Sequence, residues 1–536
     1  EVGALLLAAG LPLEPGVVLQ RLHRGAALTL DQRADVDTGH RDRERQLDGQ
    51  LVAGRLGAGD GRGEPRGDLV VAGVGFAIRG AILADWATQF GFTKTELGTI
   101  TGGGLVGFGI VILAASAIAD RVGYGRLLWV AFILHATSAA VTMAATLIYG
   151  DGSAGNTSAY WVLYVGTFMF AIANGVCEAV INPLAATLYP KNRTHYLNVL
   201  HAGWPAGLII GGVIAYCFAS SDARISHVRW EVLVGLFLVP TALYGLLLYR
   251  VRFPVSEARA AGISFAGMLR EFAAPVLLVL VLLHALIGYV ELGTDSWIVN
   301  IMQNVIQGQA FLLFIYTSAL MFVLRFFAGP IAHRINPLGL LFVSSLLACA
   351  GLMMLGSSNT GFAILAAATV YGLGKTFLWP TMLGVVSELY PRGGALTLGA
   401  VGAAGMLSAG LLGGPGIGYK QDYFASQYLE ERHAFVYEQF RAPTEHGFLM
   451  FPKIAGLDGA EVGAILEAPQ SELTAVENEY RGALLRASTH GGQAALRWTA
   501  LVPLMLALGY LSLILYFRSR GGYQAVQLRE ESGPSG

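Results

Sequence analysis

The chain has 536 residues, 54% hydrophobic and only 13% charged, with a formal net charge of −1 and a mean hydropathy of +0.55. Soluble domains carry roughly 25% charged residues. This is therefore the composition of a multi-pass membrane protein, and the 70 glycines agree, since glycine is frequent in membrane helices. No basic arm or RNA-binding aromatic pattern points to a nucleic acid, and Cys177, Cys217 and Cys349 all lie in apolar runs without disulfide or metal-ligand spacing.

Residues 1–67 differ from the rest. They contain no Phe, Tyr, Trp, Ile, Met, Lys, Ser, Asn or Cys and are rich in Arg, Gly, Asp and Leu. They read either as a disordered cytoplasmic tail or as upstream sequence not native to the protein. Apolar stretches of the length that crosses a hydrocarbon layer then follow regularly. They lie at about 69–88, 96–119, 126–149, 159–188, 196–219 and 230–250, then at 272–300, 308–332, 338–356, 361–388, 395–415 and 496–517. These twelve spans predict an all-α membrane protein of two six-helix bundles, 68–250 and 272–415 with 496–517. A cytoplasmic linker, 251–271, joins them, and its Phe265–Phe272 piece has amphipathic helical spacing.

Cations sit on alternate loops: Arg121 and Arg126, Lys191 and Arg193, Arg250, Arg252 and Arg259, Arg334, Arg392, then Arg518 and Arg520. The positive-inside bias puts both termini, including the tail 518–536, in the cytoplasm. Residues 416–495 interrupt the pattern before the last span. They are charged and aromatic, with helix-like stretches such as Asp422–Gln439 and Gln470–Ala487, and read as an extracytoplasmic cap.

An internal repeat supports the two halves. Ile118-Ala-Asp-Arg-Val, nine residues before Leu127-Leu128, recurs as Ile331-Ala-His-Arg-Ile, nine before Leu340-Leu341. Leu188-Tyr-Pro, with Gly211-Gly212 ending the next span, recurs as Leu389-Tyr-Pro with Gly413-Gly414.

Ionisable groups at membrane depth usually face a bundle interior or a wet cavity and mark function. Glu178 lies in an apolar helix, followed by Asn182-Pro183, whose freed backbone must face protein or water. Its protonation responds to burial and to neighbouring charge, so it is the candidate for proton coupling; the rival reading is a fixed ion pair with Arg79 or Lys375. Glu291 and Asp295 share one helical face and with Asn300 can accept hydroxyl groups; alternatively they are outer-boundary charges. His201 either binds solute, relays a proton or packs as a satisfied core histidine. Trp204, Trp297 and Trp379 suit the C–H face of a sugar ring, or serve as packing and interface anchors. Arg79 and Lys375 are further candidate ligands, and Arg325 is either structural or a gate in the cytoplasmic half. Gly372-Leu-Gly374-Lys375-Thr376 lacks the glycine spacing of a nucleotide-binding loop. No enzymatic constellation is present, and no cofactor or metal is expected.

The twelve-span pattern with Asp120-Arg121-Val-Gly123-Tyr-Gly125-Arg126 after span 2 resembles the major facilitator superfamily, although Ser116 stands where that motif usually has glycine. Three passages are similar to its fucose/glucose/galactose–proton symporter branch: Gly175-Val-Cys-Glu178 with Asn182-Pro183, Asn198-Val-Leu-His201-Ala-Gly, and Glu291 with Ser296-Trp297-Ile298-Val299-Asn300. The resemblance covers about 69–415 and 496–517. It implies alternating access about a midplane site, with Asp120, Arg121 and Arg126 at an inner gate. Proton–fucose members carry an acid midway along span 1. Here that region reads Phe76-Ala-Ile-Arg79-Gly80-Ala81, and Asp85 lies further along.

The expected protein is a monomeric secondary transporter of a bacterial inner membrane that moves a monosaccharide by proton symport. Two rivals stay open: an organic-anion transporter using Arg79, Arg325 and Lys375, and a receptor or scaffold acting through 416–495. Sodium coupling also stays open.

Overall fold

The computed structural model describes residues 66–526 and 528, apart from 93, 150–152, 220–224, 250 and 307–309. The unusual N-terminal segment lies outside them, except that Arg66 and Gly67 already belong to the first helix, Arg66–Ala81. Among the described residues the chain is helical, with two isolated β-bridges and no strand.

Ten helices among the described residues are long and apolar enough to cross a membrane. They supply spans 2 to 7 and 9 to 12. Span 1 is assembled from Arg66–Ala81 and Leu83–Phe90, which meet at Ile82. Span 8 is Ala310–Arg325, continued by the start of Ala328–Leu355. The latter turns at Asn336 (φ 55°), whose Oδ1 accepts the Gly339 N–H at 2.8 Å, and span 9 runs on from Pro337. The linker forms the short helices Glu257–Ala260 and Phe265–Arg270, capped by the Ser256 and Ser264 hydroxyls; the second falls in the Phe265–Phe272 piece with amphipathic spacing, and the first was not expected.

The internal repeat is visible in the packing. Spans 4 and 10 stop at Leu188 and Leu389, each just before a Tyr-Pro pair. Span 1 packs on span 5, and its equivalent, span 7, packs on span 11. Both contacts are glycine faces. Gly73 lies against the Trp204 carbonyl and Gly207 against that of Val70; Gly288 lies against the Gly405 carbonyl and Gly293 against Gly413. Membrane helices gain packing and close backbone approach from such faces. A side chain at Gly288 would meet a backbone carbonyl that has no room to yield. Gly288→Val is therefore expected to destabilise the bundle by about 1–3 kcal/mol, read as a lowered unfolding midpoint in detergent. An unchanged midpoint would refute this contact.

The two halves meet along spans 2 and 11, spans 5 and 8, and spans 5 and 10. The 416–495 segment is continuous in helix with the spans on either side of it. Span 11 does not stop at 415: its helix continues as Gly414–Arg432, and span 12 is entered from Ala475–Thr499. Hydropathy falls near 415, but the helix does not end there. The two extensions pack on each other and, with Ala434–Phe440, enclose a small core around Leu429, Val436, Phe440 and Leu484.

Candidate functional site

Several spans lose regular geometry midway. Span 5 breaks at Ala202, span 10 at Thr376–Phe377, and spans 7 and 11 each hold a π-turn, at Tyr289–Gly293 and Ala409–Gly413. Irregular backbone at this depth is tolerated where it lines a cavity or is buried in protein. A partly open pocket, with about 540 Å³ of space including the solvent at its mouth, lies among these breaks. Asp68, Asn174, Glu178, His201 and Trp204 face it from the first half. Glu291, Arg325, Trp379 and Met406 face it from the second.

Glu178, 6% exposed, accepts hydrogen bonds at Oε1 from Asn182 Nδ2 (3.1 Å) and from Trp379 Nε1 across the cleft (3.4 Å). His201 Nε2 is 2.9 Å from Asn182 Oδ1 and 3.7 Å from Glu178 Oε1. Glu178 is thus held mainly by neutral donors, and a proton can occupy it without breaking an Arg or Lys pair. Glu291 Oε1 accepts from Arg325 Nη2 at 3.1 Å. Asp68 Oδ2, Asn174 Nδ2 and Glu291 Oε2 are buried around the same pocket and make no hydrogen bond to any of the described residues. Such atoms are costly unless a ligand or water meets them.

Glu178, His201, Trp204, Glu291 and Trp379, all expected at the site, are brought together here. Asn182 stands one layer behind, orienting Glu178 and His201. Several expectations are corrected. Arg79 is off the pocket: its guanidinium lies 3.9 Å over the Phe170 ring and reaches Ser138. Lys375 donates to both oxygens of Asp295 at 2.6 Å, beside a separate small cavity. Neither cation pairs with Glu178. Trp297 donates to the Gly414 carbonyl at 2.8 Å and anchors span 7 on span 11, while Asn300 is exposed. Arg325, expected at a gate, is buried beside the pocket because three acceptors converge there.

Asp68 escaped the sequence reading. It is the last charge before the Leu69–Gly73 apolar run and looks like a tail boundary. The helix starts earlier, at Arg66, and turns Asp68 inward with Leu69 and Ala72. Span 1 therefore does bring an acid to the pocket, eleven residues before Arg79. Asn174, one turn before Glu178, was missed because an uncharged amide in a membrane helix carries little signal.

The two halves are bonded to each other at the basic end of the bundle, and the contacts of Arg121 and Arg126, both expected at the gate, are not among those bonds. Arg126 turns back to the Val122 carbonyl at 3.5 Å, and exposed Arg121 lies over the Phe265 ring at 5.4 Å. Asp120 lies beside Gly394, where span 11 begins, a favourable place for a carboxylate; its own carbonyl accepts from Arg259 at 2.9 Å. The cross-half bonds there come from span 5. Arg193 bonds the Ser387 carbonyl and pairs with Glu257 of the linker, and Thr194 Oγ1 donates to Glu388 at 2.6 Å.

A membrane bundle of two pseudo-equivalent halves around a buried polar pocket is the build of a transporter, not an enzyme. The chain belongs to the Major Facilitator Superfamily, whose profile matches residues 69–414. No curated protein sequence matches it. Solved structures share its fold. One is the E. coli fucose:proton symporter FucP, 19% identical over 67% of this chain and 92% of that one, with a TM-score of 0.52. Another is the proton:xylose symporter XylE, 13% identical over 88% and 96%, with a TM-score of 0.58. A human organic anion transporter is 14% identical over 86% and 99%, with a TM-score of 0.54.

Proposed function

We propose that this protein carries a monosaccharide together with a proton by alternating access. The observation that supports the solute class is the trio of buried, unbonded atoms around the pocket: two carboxylate acceptors, Asp68 Oδ2 and Glu291 Oε2, and one amide donor, Asn174 Nδ2. A hydroxyl group both donates and accepts, so neighbouring hydroxyls of one sugar ring match this mixed set. Trp204, Trp379 and Phe108 offer apolar walls for the ring's C–H faces. Glu178 is the proton carrier, with His201 and Asn182 orienting it. Asp120, Arg193, Thr194 and Glu388 close the cytoplasmic end in this reading, with both termini inside and 416–495 a cap outside the cell membrane. The protein acts as a monomer.

The organic-anion reading is weakened on geometry. Of its three cations, Arg79 is turned away, Lys375 is paired with Asp295, and Arg325 remains. Three carboxylates face the pocket against that one guanidinium. One fold neighbour is nonetheless an organic anion transporter, so the test includes both classes. Proteoliposomes with an internal pH dye would be given neutral hexoses, pentoses and hexuronates. Proton entry driven by a neutral sugar, undiminished by hexuronate, is the expected result; proton entry with hexuronate alone would overturn it. Asp68→Asn should raise the half-saturating sugar concentration about tenfold or more, since hydrogen bonds to charged groups contribute roughly 1.5–3 kcal/mol. Deleting 441–473, the stretch between the packed helices Gly414–Arg432 with Ala434–Phe440 and Ala475–Thr499, should leave flux measurable; a scaffold whose bundle is only an anchor would carry none in the parent either.

A further inference from the structure

Arg325 is the most heavily bonded side chain at the pocket. It is 1% exposed at the end of Ala310–Arg325. Its Nε donates to the Thr376 carbonyl at 3.0 Å, Nη1 to the His201 carbonyl at 2.5 Å, and Nη2 to Glu291 Oε1 at 3.1 Å. The two carbonyls share an origin. A helical carbonyl normally accepts from the N–H four residues on. Four residues after His201 is Pro205, and four after Thr376 is Pro380. Proline has no N–H, so each helix leaves one buried acceptor without its usual donor, one in span 5 and one in span 10. Arg325 supplies both donors. His201 belongs to the first half, whereas Thr376, Glu291 and Arg325 belong to the second. The Nη1 bond therefore joins the halves beside the pocket, and its register is set by the hold of Glu291 on Nη2.

We infer that Arg325 is a positioning residue that ties the state of Glu291 to the contact between the two halves. While the Glu291 carboxylate holds the fork, span 8 is bonded to the proline-freed carbonyl of span 5. A hydroxyl donated to the unbonded Oε2 of Glu291 draws charge from Oε1, loosens the fork and weakens the cross-half bond. A planar fork is required, because a lysine ammonium lacks the fixed donor geometry. The role rests on reading the pocket as the transport site, but its test needs no solute.

Cys177 lines the pocket and is 3% exposed, so it reports opening of the cleft. In nanodiscs, with Cys217→Ser and Cys349→Ser as background, its rate of maleimide labelling would be measured. Arg325→Gln and Glu291→Gln should each speed labelling on the order of tenfold, the equivalent of about 1.4 kcal/mol. The double variant should be no faster than either single one, as expected of two residues in one network. Arg325→Lys should label like Arg325→Gln. Rates equal to the parent in both single variants, additive rates in the double variant, or full restoration by lysine would each overturn the inference. Glu291→Gln leaves the guanidinium in place, so it tests the link even if Arg325→Gln does not fold. Failure of the sugar panel with these rates as expected would strike the solute assignment alone.

Discussion

Glu178→Gln is expected to reduce sugar-driven proton entry into proteoliposomes to background while sugar-for-sugar exchange persists. The glutamine carbonyl can accept the same two bonds, from Asn182 Nδ2 and Trp379 Nε1, that Glu178 Oε1 accepts now. Shape and cross-cleft contact are kept, and the one thing removed is the site for a proton. Exchange needs the binding pocket to alternate but needs no net proton movement, so it separates coupling from binding. Glu178→Ala is a poorer test, because it also strips the acceptor that holds Trp379 against the first half. Proton entry that survives Glu178→Gln would move coupling to Asp68 or Glu291, the other carboxylates on the pocket. Loss of exchange as well would mean that Glu178 grips the sugar itself.

The fold was legible wherever apolar length and the repeat agreed. Leu188-Tyr-Pro and Leu389-Tyr-Pro marked real helix ends because proline cannot take its place in the next turn of a helix. The ends of spans 11 and 12 were not legible. Composition changes at the membrane surface while the helices run on to Arg432 and start from Ala475. At the site, intramembrane acids and aromatics stood out singly, and Glu178, Glu291, Trp204 and Trp379 converge. Cations were harder to place. Arg79, Arg325 and Lys375 look alike in an apolar run, yet one faces a phenyl ring, one two carbonyls and a glutamate, and one an aspartate. Which neighbour each meets is a tertiary fact. Pro205 and Pro380 did hold a usable signal for Arg325, since each announces a carbonyl in need of a donor.

Lys375→Met is expected to destabilise the second half by about 3–5 kcal/mol, toward the lower end because Asp295 is 16% exposed. The ammonium reaches both Asp295 oxygens at 2.6 Å and lies 5.4 Å from the Tyr371 ring centroid, so it is the close cationic partner of that carboxylate. Removing it leaves a carboxylate without a cation in a largely apolar cavity, beside Ile298, Leu313 and Phe314 and with Thr317 and Tyr371 as its other polar residues. Removing both charges, as in Asp295→Leu with Lys375→Met, should restore most of the stability, because a well-packed apolar pair often replaces a buried ion pair without loss. The midpoint of thermal unfolding in detergent reads both effects. The half-saturating sugar concentration of the double variant should match the parent, since neither residue lines the central pocket. A ligand role for the pair predicts the reverse: a small change in unfolding, a large loss of affinity and no recovery in the double variant. That outcome would return Asp295 and Lys375 to the binding site and restore a second cation to the organic-anion reading.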